Sequence, residues 1–430
     1  MNQLIPLRRS LFTSTRLFDK IKTAKDRKEH FLKVNSWKAN QSEHEPVDED
    51  RKPKKKVALL LGYNGSGYQG MQANPGTKSI EEELFNALVK VEAISKSNSI
   101  DPKKVQLMRA ARTDKGVHAS CNLISLKMIC QDKDLVEKLN TQLPNCIRIW
   151  GYVETQRTFH AKTKCDSRIY EYLLPSYSLK RLVEKELKLE PESERDYKIL
   201  TENRTMTRYI SPTDQSILSN FRVDQERLKK FKGAMSLFQG THNFHNYTIS
   251  RSFKDPAAKR YMIDISVSDP MIIENTEWIS IKLHGQSFML HQIRKMISMA
   301  MLSVRTGTPL SLIPKTFEAD KINIPKAPAL GLLLERPVFQ LYNNRMASVE
   351  NRNSIDFDIY KNQIETFKKE YIYKEIFEHE KKSREFDTFL AAIDSHIDST
   401  YQYFNTEGVI PEQCILKTKF SVQNDLENEK

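Results

Sequence analysis

Strand-like apolar runs alternate with segments of helical periodicity from Val57 to Arg305. This alternation favours an α+β fold in which helices flank a mixed or antiparallel sheet. The clearest strand is 57–63, and the clearest helix follows a Ser79–Glu82 capping box. Further strands are expected at 105–110, 122–129, 147–153, 169–174, 260–267 and 277–284, and further helices at 135–142, 224–238, 288–305, 359–371 and 385–397.

The chain has 430 residues, more than one compact core usually holds, so at least two lobes are expected. The two β–α blocks share a similar plan, which predicts two ferredoxin-like lobes. The expected organisation is a disordered basic region at 1–55, an N-terminal lobe at 56–165, a C-terminal lobe at 166–342 with a charged insertion near 176–220, a helical extension at 343–418 and a disordered tail at 419–430.

Basic residues outnumber acidic ones by 68 to 55, a net charge of +13. Such a chain is attracted to polyanions, and nucleic acid is the first candidate, although charge alone does not separate RNA, DNA and an anionic membrane. Five scattered cysteines without a Cys-x-x-Cys spacing indicate neither a disulfide framework nor a zinc site, as is typical of a reducing compartment. The apolar runs are too short for a membrane span, so no membrane association is expected.

The N-terminal residues suggest a destination in the cell. Residues 1–18 combine Arg8, Arg9 and Arg16 with hydroxyl and apolar side chains, and the first acid is Asp19. This composition is typical of a mitochondrial presequence, but a basic tail that touches RNA has the same composition. The basic run at 51–56 is compatible with a nuclear localisation signal, a phosphate-contacting arm or a solvated linker. We therefore expect a mitochondrial location, with the nucleus as the alternative.

A glycine-rich turn follows the first strand. Gly65, Gly67 and Gly70 have the spacing of a dinucleotide-binding loop, yet residues 71–75 do not open a helix, so that interpretation fails. A close approach of the backbone to RNA and a simple tight turn both remain open.

The densest group of chemically active residues is Arg109–Ala119. Asp114 lies between Arg112 and Lys115 on a glycine-containing turn, where nearby cations favour the ionised carboxylate. Such a carboxylate is a candidate nucleophile for an anionic substrate. Local composition alone favours an ordinary hairpin turn whose basic neighbours are solvated, and an isolated His118 is more often structural than catalytic.

The segment Arg112-Thr113-Asp114-x-Gly116-Val117-His118-Ala119 resembles the signature of the TruA-like tRNA pseudouridine synthases. Five other segments resemble motifs of that family in the same order, and together they span about 56–342. They are the glycine turn at 62–72, Arg168-x-Tyr170-x-Tyr172, Gly240-Thr241-His242-Asn243-Phe244, residues 285–295 with Arg294, and Ala327-Pro328-Ala329-x-Gly331-Leu332.

The resemblance implies that Asp114 attacks the target uridine, after which the freed uracil turns and rejoins the ribose through carbon. It implies that Arg294 pairs with this carboxylate, and that Tyr170 stacks on the extruded base and assists proton removal at C5. It implies no metal or organic cofactor. RNA-binding or supporting roles fall to a second group: Arg112, Lys115, His118, Arg168, His242, Phe244, His291 and Lys295.

Without the resemblance, several of these residues have ordinary structural explanations. Arg294 would be a structural ion pair in an apolar helix, and Tyr170 a common strand aromatic. His242 and Phe244 would pack in the core.

The chain departs from the bacterial form of the pattern. Ala111 replaces a usual glycine, Lys115 replaces a small residue, and the insertion and C-terminal helices are additional. These features resemble the eukaryotic, multisite branch, which modifies several tRNA positions, notably in the anticodon stem, and in some members other RNAs. Bacterial members are dimers, but the additional segments are able to cover that surface, so we expect a monomer that binds tRNA in a basic cleft between its lobes.

Two other classes of protein fit the residues less well. A catalytically silent RNA-binding or tRNA-folding protein would have no reason to retain Asp114, Tyr170 and Arg294 together. A DNA-binding regulator is disfavoured because the sequence has no helix-turn-helix, zinc-finger or basic-zipper pattern.

Overall fold

The computed structural model describes residues 52–74, 76–181, 212–249, 251–349, 353–394 and 400–416. The chain divides into two units, Met1–Asp48 and Glu49–Lys430, and all of these ranges belong to the second. The expected presequence, the charged segment 182–211 and the tail 419–430 lie outside the described residues, so those expectations stay predictions.

The described strands form one mixed sheet, which confirms the α+β class. Its order is β4-β1-β3-β10-β5-β9-β7-β6, with β2 paired to β3 and β8 to β9. The strands are β1 (Lys54–Tyr63), β2 (Met108–Arg109), β3 (His118–Ile129), β4 (Ile147–Glu154), β5 (Ser167–Pro175), β6 (Gly240–Asn243), β7 (Lys259–Val267), β8 (Met271–Ile273), β9 (Thr276–Gly285) and β10 (Leu332–Val338).

Strand β10 joins the two halves of the sheet. It runs parallel to β3, with Leu333 opposite His118, and antiparallel to β5, with Leu334 opposite Tyr170. The halves expected to form two lobes therefore share one continuous sheet. Their junction lies between the strand that follows Asp114 and the strand that carries Tyr170.

The helices flank this sheet. They are α1 (Ile80–Lys90), α2 (Leu135–Gln142), α3 (Ala161–Lys164), α4 (Pro212–Asn220), α5 (Gln225–Ser236), α6 (Gln292–Arg305), α7 (Leu312–Lys315), α8 (Gln340–Met346), α9 (Lys361–Phe367), α10 (Lys374–Ser383) and α11 (Glu385–Asp394). A π-helical stretch, Lys368–Tyr373, makes α9 and α10 continuous, and single 3₁₀ turns occur at Lys96–Asn98, Pro102–Val105, Ser176–Leu179, His245–Tyr247, Pro256–Ala258, Asp358–Tyr360 and Glu412–Cys414. No helix within the described ranges is long and apolar enough to cross a membrane.

Local signals explain where two of the helices begin. Ser79 caps α1 by accepting a hydrogen bond from the Glu82 amide at 3.3 Å, and Asp224 caps α5 through the Arg227 amide at 2.8 Å. The predicted apolar stripe of α6 is fully buried at Met296, Ile297, Ala300 and Met301.

Three expected elements are clearly different in the structure. Helix α6 begins at Gln292 rather than at residue 288, because His291 has a left-handed backbone with φ 64°. The strand expected at 105–110 shrinks to β2, because Gln106 is left-handed at the end of a 3₁₀ turn. The first C-terminal helix also continues to Ser383, beyond the expected end at 371.

Candidate active site

The glycine turn after β1 lies directly against the loop that carries Asp114. A Cβ on Gly65 would stand 2.2 Å from the Val117 carbonyl oxygen, and one on Gly70 would stand 2.7 Å from the Thr113 carbonyl oxygen. Gly70 also has φ +105°, a backbone conformation that favours glycine. The close neighbour of these glycines is therefore the backbone of the Asp114 loop.

Backbone hydrogen bonds fasten the two loops together. The Met71 amide donates to the Thr113 carbonyl at 3.2 Å, and the Gly116 amide donates to the Tyr68 carbonyl at 3.2 Å. Within the Asp114 turn, the Val117 amide donates to the Asp114 carbonyl at 3.1 Å. These bonds on both sides give Asp114 a fixed backbone.

The Thr113 side chain anchors the same loop to the core. Its Oγ1 lies 2.8 Å from the Tyr63 hydroxyl, to which the Asn122 amide group donates at 3.3 Å. The same amide group donates to the Ala111 carbonyl at 3.1 Å. Burial raises the pKa of Tyr63, so its phenol stays protonated and the network stays neutral.

The Asp114 carboxylate is accessible, with 43% of its side chain exposed. Its Oδ2 lies 4.0 Å from Nε2 of His291. Within the described ranges, neither Arg112, Lys115 nor Arg294 forms an ion pair with this carboxylate at 4.0 Å or less. Arg112 and Lys115 are exposed.

Arg294 is bound elsewhere, contrary to the pairing that the resemblance implies. Its Nε donates to the Ala327 carbonyl at 2.6 Å, and the Ala327 amide donates to the Arg294 carbonyl at 3.2 Å. Arg294 is still close enough to act electrostatically on His291. The structure therefore brings His291 to Asp114 and binds the Arg294 side chain to Ala327.

Tyr170 is buried in β5, and its ring packs edge-on against Phe288 with centroids 5.1 Å apart. Burial raises the pKa of Tyr170 to about 12, an effect that Arg168 weakens and Asp114 strengthens. Tyr170 is therefore protonated at neutral pH and lies within the electrostatic field of Asp114. No other described residue shares a hydrogen bond with its hydroxyl group.

Arg168 connects the elements on either side of the site. Its guanidinium donates to the Ala110 carbonyl at 2.7 Å and to the Gln286 carbonyl at 3.5 Å. One side chain on β5 thus forms hydrogen bonds with both the start of the Asp114 loop and the loop that leads to His291. Its contacts are those of a supporting residue.

His118 is interior and cannot touch RNA in this conformation. Its Nδ1 accepts a hydrogen bond from the Gly65 amide at 3.1 Å, and burial lowers its pKa to about 4. The neutral ring therefore supports the glycine turn.

Lys295 is also largely enclosed. Its amine donates to the Asn246 carbonyl at 3.0 Å, and burial, assisted by Lys321 and Lys326, lowers its pKa to about 8.

His242 lies on β6, the edge strand at the end of the sheet path farthest from β4, and Phe244 directly follows that strand. The His242 ring stacks on Phe317 with centroids 4.4 Å apart, and Phe244 is fully buried against Phe317 and Tyr247. Phe244 is therefore a core residue, whereas His242 is half-buried, and none of these contacts includes Asp114.

Comparisons with known proteins agree on one family. A family model described as tRNA pseudouridine synthase matches residues 234–340. A Yarrowia lipolytica protein named tRNA pseudouridine synthase 1 is 43% identical over 418 residues, which cover 85% of this chain and 79% of that protein. The Saccharomyces cerevisiae protein of that name is 44% identical, covering 74% and 67%, and the Mus musculus Pseudouridylate synthase 1 homolog is 34% identical, covering 80% and 75%.

This chain belongs to the tRNA pseudouridine synthase family.

Several residues that hold the synthase's site together were missed in the sequence. Glu81 of α1 pairs with Arg109 of β2 at 2.6 Å and accepts from the Ala73 amide at 2.9 Å. Asn122 and Tyr63 anchor Thr113 from below. Asn122 was an available signal, since an amide buried in a strand needs hydrogen-bond partners.

Proposed function

We propose that this tRNA pseudouridine synthase isomerises uridine at several positions of tRNA, including the anticodon stem, with Asp114 as the nucleophile. The observation that carries the proposal is an accessible Asp114 carboxylate, on a backbone fixed from two sides, close enough to the buried Tyr170 to act on it electrostatically. A nucleophile on a rigid turn can be presented in one orientation to a base drawn out of its stack.

The chemistry conserves all atoms of the nucleoside. Attack by the Asp114 carboxylate on the ribose carbon forms an ester bond and breaks the bond between that carbon and N1 of uracil. The freed uracil turns, and its C5 bonds to the same ribose carbon and displaces the carboxylate, which restores Asp114. C5 loses a proton and N1 gains one, so the product is an isomer and no oxidation or hydrolysis occurs.

Tyr170 has the features of a stacking platform for the base. Its ring is fixed by Phe288, and aromatic faces are favoured partners of an unstacked base. Because burial keeps the phenol protonated, with a pKa of about 12, we assign it to stacking and orientation rather than to proton removal at C5.

The proposed substrate range rests on charge and on the departures from the bacterial pattern. The net charge of +13 favours salt-sensitive contacts with the phosphate backbone in a basic cleft. Ala111, Lys115 and the C-terminal helices favour the multisite branch. We propose a monomer because these helices contact β4, β5 and β10 and so cover part of the sheet.

The test is pseudouridine mapping on unmodified tRNA transcripts incubated with the purified full chain. Several modified uridines, with at least one in the anticodon stem, would support the multisite proposal. Modification of a single uridine, or of none in the anticodon stem, would contradict it. Size-exclusion chromatography with light scattering on the same sample gives the oligomeric state.

We also propose a mitochondrial location, on the composition of residues 1–18. A C-terminal fluorescent fusion should co-localise with mitochondria and lose that location when residues 1–35 are removed. An unchanged nuclear signal from both fusions would contradict the proposal and favour the basic run at 51–56 as a targeting signal.

A further inference from the structure

His291 has a backbone conformation that its residue type seldom adopts. Its φ is 64° and its ψ is 5°, the left-handed region, immediately before α6. A non-glycine residue there costs on the order of 1–2 kcal/mol, and such strained positions cluster at functional sites. A glycine at position 291 would remove this strain. The presence of a strained histidine therefore indicates that the site needs the imidazole side chain.

The strained backbone aims the imidazole at Asp114. Its Nε2 lies 4.0 Å from the Asp114 Oδ2, while only 16% of the His291 side chain is exposed. The other ring nitrogen, Nδ1, is buried and has no hydrogen-bond partner among the residues that the structure describes. An approach of about 1 Å would bring Nε2 and Oδ2 to hydrogen-bonding distance.

The surroundings favour a neutral ring. Burial and the cations Lys326, Arg294 and Lys295 lower the pKa of His291, while Asp114 raises it. A neutral imidazole carries one proton. On Nδ1 that proton would be a buried donor without an acceptor, whereas on Nε2 it faces the Asp114 carboxylate.

We propose that His291 is a positioning residue for the nucleophile, donating a hydrogen bond from Nε2 to Oδ2 of Asp114. The inference rests on the proposed role of Asp114. One carboxylate oxygen is then fixed and the other stays free to attack. Because the ring is neutral, the contact orients the carboxylate without the charge neutralisation that a direct arginine pair brings, and Arg294 is bound to Ala327 instead.

The experiment compares His291→Gly with the unmodified chain and with a matched control. Glycine adopts φ 64° without strain, so His291→Gly should fold with an unchanged or higher Tm. The control is Gln106→Gly, another left-handed position with φ 53°, whose side chain is exposed. The readouts are Tm, KM and kcat for pseudouridine formation on a tRNA transcript.

We expect His291→Gly to lower kcat roughly tenfold to hundredfold, the usual cost of a misplaced catalytic group, with KM nearly unchanged. Gln106→Gly should leave kcat unchanged. An unchanged kcat for His291→Gly, a change in KM alone, or a loss of kcat that accompanies a lower Tm would each overturn the proposal.

An Asp114→Asn sample distinguishes this failure from failure of the proposed nucleophile. If Asp114→Asn is inactive and His291→Gly is fully active, only the positioning role is wrong. If Asp114→Asn remains active, the nucleophile is wrong.

Discussion

Lys368 of the C-terminal helices places its amine 2.8 Å from the carboxylate of Glu171, the residue that follows Tyr170 on β5. The amine also lies 2.7 Å from Glu335 on β10, and the Tyr373 hydroxyl donates to Glu171 at 2.8 Å. The Lys368 and Glu171 side chains are buried, and Glu335 and Tyr373 are partly buried. Burial alone would lower the pKa of Lys368, but the two carboxylates raise it above its ordinary value. The C-terminal helices therefore support β5 and β10, the strands that bring the two halves of the site together.

Replacing Lys368 by Met should destabilise the fold, because two buried carboxylates lose their shared cation. The expected loss is about 3–5 kcal/mol of the free energy of unfolding, measured by chemical denaturation. Lys369→Met is the control, since Lys369 is exposed and should change stability little. Equal stability of the two variants would show that the buried network is not needed.

Replacing Gly65 by Ala should impair catalysis by displacing the Asp114 loop. Its Cβ would stand 2.2 Å from the Val117 carbonyl oxygen, so the loop must shift. We expect kcat to fall at least about tenfold. Gly67→Ala is the control: it has φ +80° with nothing within 4 Å, so it should cost stability of about 1 kcal/mol and leave kcat intact. Wild-type kcat in Gly65→Ala would contradict the coupling of the two loops.

Replacing Tyr170 by Phe should preserve most of the activity if the ring acts by stacking. A phenyl ring retains the face and the contact with Phe288, whereas Tyr170→Leu loses the aromatic face and should lower kcat/KM by roughly tenfold or more, since base stacking contributes about 1–3 kcal/mol. Steady-state kinetics on tRNA measures both. If the phenylalanine and leucine variants were equally impaired, the hydroxyl group, not the ring face, would be the important part.

The buried Glu380 should give stability a recognisable pH dependence. Burial raises its pKa to about 7, although Tyr177 and the Phe386 amide donate to it. Between the unfolded pKa and this value the folded protein binds more protons, so the free energy of unfolding falls as pH rises through that window. His118 has a lowered pKa and the opposite slope.

The Glu380→Gln variant isolates this effect. His118 contributes the same pH dependence of the free energy of unfolding to the variant and to the unmodified chain, so it cancels in their difference. The stability advantage of Glu380→Gln over the unmodified chain should grow between pH 5 and 7.5 by on the order of 2 kcal/mol. Denaturation curves at a series of pH values measure the difference. A constant difference would contradict a proton held by Glu380 in the folded state.

The elements with strong local signals were predictable from the sequence. The helix N-cap at Ser79 and the apolar stripe of α6 depend on neighbours within one or two turns, and both were found in the structure. The start of α6 was predicted wrongly. Local periodicity does not show that His291 has a left-handed backbone, which places its ring near Asp114, 177 positions earlier in the chain.

The order of the strands in the sheet could not be predicted from local patterns either, because it depends on residues that are far apart in the sequence. The parallel pairing of β10 with β3 joins Leu333 to His118, and nothing in either segment specifies the other. For the site, the family resemblance named Asp114 and Tyr170, but it did not indicate that Arg294 would bind the Ala327 carbonyl. Likewise, the role of Gly65 depends on which backbone lies opposite it, and that is set only by the folded chain.

The role of Asp114 as nucleophile is tested most directly by the formation of pseudouridine by Asp114→Asn, on a tRNA transcript that the unmodified chain modifies. The substitution keeps the size of the side chain and removes its charge, so tRNA binding should persist while no pseudouridine forms above the enzyme-free background. Asp134→Asn, the same change at an exposed position, should match the unmodified chain. Pseudouridine formation by Asp114→Asn at a rate close to that of the unmodified chain would contradict the assignment of Asp114 as the nucleophile.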